Sequence, residues 1–145
     1  MKELTPISAH RLFRDGPLLV FEQERSFTLA DAQAATAVYS HVIAEEGYLL
    51  LLLDFRRGSA ADAEVRRHLA HWSKDHLARL CIAAVGGNFF LRTTLTLIVT
   101  AARLLGGRPL GVQFLATPEA AQAWLQQRGP VLAAALRRQA SASSP

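Results

Sequence analysis

The segment Tyr48–Phe55, YLLLLLDF, constrains this chain more than any other. Five consecutive leucines leave no polar position for solvent, so the element they form must be covered on every side. Leucine is not β-branched, and propensity alone would allow a helix. The run is short, however, and glycines bound it at Gly47 and Gly58. Those limits favour a strand buried on both faces, the situation of a central strand in a parallel sheet. A second apolar run, Leu80–Val85, ends at Gly86-Gly87-Asn88 and has the same character. Leu110–Leu115 supplies the last strand.

The stretches around these strands carry their own punctuation. Ile7–Phe13 and Pro17–Gln23 flank Arg14-Asp15-Gly16-Pro17, a hairpin signal. Thr28-Leu29-Ala30-Asp31 opens a helix that reaches Glu46, with Thr28 as N-cap, Asp31 three residues on, and Gly47 as the stop. Its inward stripe is expected at Leu29, Ala32, Val38, Val42 and Ile43. Ser59 to Ala78 reads as a second helix, with Val65, Leu69, Trp72 and Leu77 inward. Phe89–Leu105 is the third, closed by Gly106-Gly107. Thr117-Pro118-Glu119 starts a fourth with cap, N1 proline and early acid in place. Gly129-Pro130 is expected to break it, leaving a short further helix and a frayed tail over 141–145. Strands alternating with helices predict an α/β fold: an N-terminal hairpin plus three largely parallel strands, with about four helices. The domain is expected over residues 7–128, with a short helix and disordered tail over 129–145.

Composition narrows the function classes. Of 145 residues, 50% are hydrophobic and 19% charged, which fits one globular domain and not a disordered chain. The single cysteine, Cys81, excludes a disulfide framework and a multi-thiolate metal site, and a reducing cytoplasm is the natural location. Lys2 has no apolar run behind it, so no secretory signal is expected. No apolar run approaches the ~20 residues of a membrane span. The net charge of +4 conceals an asymmetry: residues 1–75 hold 9 bases and 11 acids, and residues 76–145 hold 7 bases and 1 acid. The basic half suits an acidic partner or a phosphate. Its bases are scattered singly without interleaved aromatics, so nucleic acid is not expected as a partner.

Several residues now form a familiar order. The hairpin, the Thr28–Asp31 helix start and Leu53-Asp54 closing a leucine strand resemble the STAS/SEC14-like group, often labelled SpoIIAA-like. Ile82-Ala83-Ala84-Val85-Gly86, then Phe89 and Arg92, are similar to that group's glycine-ended strand and following helix. Phe114, Glu119-Ala120-Ala121 and Ala123-Trp124-Leu125 resemble its closing pattern. The resemblance spans roughly residues 7–128 and implies a small module for protein partnering or hydrophobic-ligand binding. Antagonists of the anti-sigma type carry a phosphorylatable serine or threonine at a helix start, and the nearest match is Ser59. The surrounding Arg56-Arg57-Gly58-Ser59-Ala60-Ala61-Asp62 departs from their Asp-Ser-Gly-like cluster.

Five sets of residues are candidates for chemistry or contact. Ser59 either caps the second helix or accepts phosphate there beside Arg56 and Arg57. Asp54, Arg56, Gly86, Gly87, Asn88 and Arg92 should gather at the strand ends, where a carboxylate or phosphate head group would fit. The opposing expectation is a structural Asp54–arginine pair with Asn88 as cap. His68, His71 and Asp75 share a helix face without zincin spacing and are expected on a solvated surface, with no metal. Cys81 reads as an inert core thiol. The third helix is apolar nearly all round, so either the C-terminal helix or another subunit covers a second side of it or it walls an apolar cavity; a partner or self-association is the favoured explanation. Phe90, Leu97 and Ile98 are the expected interface residues. No nucleophile elbow or isolated carboxylate pair is present, so no enzyme activity or cofactor is expected. The favoured function is a self-associating protein-interaction or regulatory module of the kind this resemblance implies. The alternative is a binding protein for an apolar, lipid- or acyl-like ligand whose anionic head is held by Arg56, Arg92 and Asn88.

Overall fold

The computed structural model describes residues 1–58, 61–87, 89–104 and 111–143. Six strands form one sheet: β1 (Lys2–Glu3), β2 (Arg11–Asp15), β3 (Leu18–Glu22), β4 (Leu49–Asp54), β5 (Leu80–Val85) and β6 (Val112–Leu115). The helices are α1 (Leu29–Glu46), α2 (Ala63–His76), α3 (Phe89–Leu104) and α4 (Pro118–Ser143), with one 3₁₀ turn at Leu77–Arg79. The strands lie side by side in chain order, β1 to β6. β1–β2 and β2–β3 pair antiparallel, and β3–β4, β4–β5 and β5–β6 pair parallel. The expected hairpin and parallel strands are therefore present, and β1 is an added edge that the polar lead did not signal.

The leucine run behaves as its composition requires. All six residues of β4 are buried, as are all six of β5. Alternation divides them between two cores. Leu49, Leu51 and Leu53 pack with Tyr39 of α1, Leu77 of the 3₁₀ turn and Leu95 of α3, whereas Leu50 and Leu52 pack with Ala121, Leu125 and Leu132 of α4. Monotonic strand order with right-handed crossovers puts α1, α2 and α3 on one face. The fourth helix covers the opposite face alone.

Local signals explain most element boundaries. The Thr28 hydroxyl accepts from Asp31 N at 3.1 Å, and the Asp31 carboxylate accepts from Thr28 N at 3.2 Å, a reciprocal capping box. Gly47 ends α1 in the left-handed conformation, φ +86°, with its N–H on the Ile43 carbonyl. The inward stripe of α1 is shifted from expectation: Asp31, Ala32, Ala35, Thr36, Tyr39 and Val42 are buried, and Val38 and Ile43 only half-buried. Alanines at 32 and 35 let the helix approach the sheet closely enough to seat Tyr39.

Three expected details are corrected. In the hairpin, Asp15 pairs with Leu18, so Gly16-Pro17 forms the two-residue turn, with Gly16 at φ +57°. α2 begins at Ala63, not at Ser59: Asp62 is its N-cap, accepting from Val65 N at 2.9 Å. Val65 is fully buried, and seating it sets the register of that first turn. α4 runs unbroken through Gly129-Pro130. Gly129 lies on the sheet, where a Cβ would sit 3.1 Å from Leu50 Cδ1, so it serves close packing. Pro130 is exposed, and the carbonyl left without its N–H partner one turn earlier can be solvated.

Candidate functional site

Parallel strands end together, so the residues closing β4 and β5 must meet. Asp54 ends β4 opposite Val85, and Phe55 N donates to the Val85 carbonyl at 2.8 Å. The Asp54 carboxylate is 6% exposed and is held by Arg56. Arg56 Nε donates to both oxygens at 2.9 and 3.1 Å, Nη2 donates to Oδ2 at 2.7 Å, and Arg56 N donates to Oδ1 at 3.1 Å. Burial by itself would raise the Asp54 carboxyl. The hydrogen bonds from Arg56 and the charges of Arg56 and Arg57 outweigh it and hold the group below the ordinary carboxylate range.

Gly86 is fitted to this pair. Its φ is +71°, and a Cβ there would lie 2.6 Å from Arg56 Cγ and 3.0 Å from Arg56 Cα. Only glycine permits both the conformation and the approach. Gly87 follows, also at positive φ. The structure thus brings Asp54, Arg56 and Gly86 together as expected. Asn88 and Ser59 lie outside the described residues. Arg92 is exposed on α3, its guanidinium 5.2 Å from the centre of the Phe114 ring. Arg57 pairs with Glu24 at 3.3 Å. An anion at this end of the sheet must compete with Asp54 for Arg56. The strand order contains no reversal, so the crevice that open sheets form at a switch point is not built here.

On α3, Leu95 and Ile98 are buried, while Leu97 is 55% and Leu104 82% exposed. Ile98 is therefore a core residue and not an interface residue, because the sheet-facing stripe of the helix passes through it. Leu97 lies on the outer surface, and the Phe90 side chain lies outside the described residues. The inner face of α3 helps to wall an apolar cavity against the sheet, α1 and α2.

The histidines are also redistributed. His68 is half-buried, not solvated: its Nε2 donates to the Thr36 hydroxyl at 2.9 Å, which itself donates to the Ala32 carbonyl at 3.0 Å. His71 and Asp75 are exposed. Among the described residues no group of three His, Cys, Asp or Glu side chains could hold a metal ion. Cys81 is buried, and burial pushes its thiol up despite Arg128 nearby. Among the described residues no helix is long and apolar enough to cross a membrane.

One polar cluster was not anticipated. His10 is fully buried, and its Nδ1 accepts from Glu24 N at 3.2 Å, so Nε2 carries the proton donated to Asp31 Oδ2 at 3.2 Å. Ser8, at φ +54°, donates its hydroxyl to Asp31 Oδ1 at 2.6 Å. Burial pushes the Asp31 carboxyl up, but the bonds from Ser8, Thr28 and His10 prevail and keep it low. Serine, histidine and aspartate meet here in an order unsuited to nucleophilic catalysis. The hydroxyl and the imidazole both bond the carboxylate, so no base activates Ser8. The cluster ties the N-terminal segment to the start of α1.

Comparison with known proteins places this geometry in a fold. No family model matches the sequence, and no curated protein matches it. Among solved structures, the chain is similar to SpoIIAA, an anti-sigma factor antagonist, in its unphosphorylated form. The TM-score is 0.57 at 14% identity, covering 83% of this chain and 99% of that one. It is also similar to an uncharacterized protein of the DUF3478 family with a SpoIIAA-like fold from Shewanella loihica PV-4. There the TM-score is 0.56 at 18% identity, over 81% of this chain and 92% of the other. The protein is an α/β domain with the SpoIIAA-like fold.

Proposed function

We propose that the chain is a cytoplasmic, non-enzymatic protein-interaction and regulatory module of the STAS type that pairs with a second copy of itself. The fold, shared with an anti-sigma factor antagonist, supports the class. The observation that carries self-association is the outer face of α3. Leu97 and Leu104, seven residues and two helical turns apart, project from one side of it into solvent. Burying these two leucines contributes up to about 1.5–3 kcal/mol each, to which the contacts formed around them add. Light scattering across a wide concentration range tests the proposal. The expected mass is twice 15.8 kDa, and Leu97→Asp with Leu104→Asp should return a monomer. A wild-type monomer at every concentration overturns self-association.

Ser59 is the residue of this module on which regulation by phosphate would act, with Arg56 and Arg57 just before it in the chain. Intact mass of the protein from its native cells should show a phosphate increment that Ser59→Ala removes. Its absence under several growth conditions removes the switch from the proposal.

A further inference from the structure

Between α3 and the sheet, sixteen described residues enclose a cavity of about 80 Å³. Its position follows from how α3 is seated: that helix packs chiefly along α2 and makes no comparable approach to any strand. Leu95 and Ile98 reach down from it without filling the space against Leu51, Leu53 and Ile82.

The wall has a specific chemistry. Five of the chain's eleven Phe, Trp and Tyr residues line it: Phe21, Phe27, Tyr39, Phe55 and Trp72. Tyr39 and Trp72 meet edge to face, with ring centres 5.5 Å apart, as do Phe21 and Phe27. No charged side chain is among the described lining residues, and neither Arg56 nor Arg92 reaches the cavity. Three hydroxyl-bearing residues stand in this wall, and two of them are nearly buried, Tyr39 at 5% and Ser73 at 6% exposure; Thr94 is half-buried, and the Gln23 amide, also in the wall, donates to the Arg25 carbonyl. Neither the Tyr39 nor the Ser73 hydroxyl bonds a described residue. Every wholly enclosed side-chain nitrogen or oxygen among the described residues has a partner, so these two oxygens keep access to space. A nearly buried hydroxyl without a partner is a costly arrangement unless something else satisfies it.

We infer that this cavity binds a small, neutral, single-ring molecule carrying one hydrogen-bonding group, received by the hydroxyls of Ser73 and Tyr39. The aromatic wall selects a flat ring through offset and edge-to-face contacts. The absence of a charged partner excludes an ionised head group, because a buried unpaired charge is prohibitively desolvated. Size sets the upper limit. An engineered apolar cavity that admits benzene measures about 150 Å³. The present one is smaller, so a ring enters with an outward displacement of α3, which packs chiefly along α2. A long acyl chain does not fit. This site lies on the inner side of α3 and is independent of pairing through the outer side.

The test uses the full chain with three probes: phenol, benzene and, at neutral pH, benzoate. Calorimetry measures affinity, and the methyl resonances of Leu95 and Ile98 report the location. Phenol should bind saturably and shift both residues, benzene should bind more weakly, and benzoate should not bind. Ser73→Ala and Tyr39→Phe should each weaken phenol roughly three- to tenfold, the range expected for one hydrogen bond, and leave benzene unchanged. Ile98→Phe should fill the cavity and abolish binding of both, with circular dichroism verifying the fold. If that variant does not fold, the two hydroxyl variants decide the matter. Binding of benzoate as tight as phenol, equal affinity for phenol and benzene, or no saturable binding of either neutral probe overturns the inference.

Discussion

Replacing Asp31 by alanine should destabilise the protein far more than an average substitution. Its carboxylate, 5% exposed, receives three donors: the Ser8 hydroxyl, His10 Nε2 and Thr28 N. Ser8 can turn to water. His10 cannot, being fully buried, and its stranded N–H costs about 1–3 kcal/mol. Losing the reciprocal half of the capping box adds about 0.5–2 kcal/mol. Together the loss is about 2–5 kcal/mol, against a total stability of roughly 5–15 kcal/mol for a domain. Urea denaturation reads this directly: at a slope of about 1–3 kcal/mol per molar, the midpoint should fall by about 1–3 M. The acid limb provides a second readout. Because the folded Asp31 carboxyl lies below its ordinary value, its contribution is present above the unfolded value and lost as pH falls through the folded one. The alanine variant should therefore lose stability near neutrality and show a shallower decline below about pH 4. Asp31→Asn, which keeps an acceptor oxygen, should fall between the two proteins. A loss under about 1 kcal/mol with an unchanged acid limb would refute the reasoning.

Two further outcomes follow from the strand-end pair. Gly86→Ala should lower the thermal midpoint, because positive φ costs about 1–2 kcal/mol and the new methyl meets Arg56; an unchanged midpoint would contradict the described geometry. Arg56→Ala leaves the buried Asp54 carboxylate without its fork, so the Asp54 carboxyl should titrate at higher pH by NMR and acid unfolding should begin at higher pH. An unmoved Asp54 titration would show that Arg56 does not hold it.

Legibility differed by the range of the interaction. α1 could be read because Thr28, Asp31 and Gly47 act within one turn of its ends. β4 and β5 could be read because two-sided burial leaves them apolar up to the Asp54 that closes β4. The meeting of Asp54 with Gly86 followed from parallel strands ending in register. The start of α2 did not follow, since Ser59 and Asp62 are comparable caps and only the seating of Val65 separates them. Pro130 was misread for a similar reason: its local preference is to break a helix, and docking of α4 across the sheet overrides it. The Ser8–Asp31–His10 cluster joins residues more than 20 positions apart, and no local pattern announces it. The cavity is more hidden still, because it arises from how α3 rides on α2.

The order in which the strands are laid down has a consequence for synthesis. Each strand pairs with the one made just before it, so a chain leaving the ribosome can extend its sheet by accretion without reopening it. One surface escapes this step-by-step protection. Leu50, Leu52, Cys81, Ala83 and Val85 wait for α4, whose sealing residues Leu125 and Leu132 are translated after all six strands. Any product stopped before about residue 118 would present that greasy slab to its neighbours, making α4 the guard against aggregation.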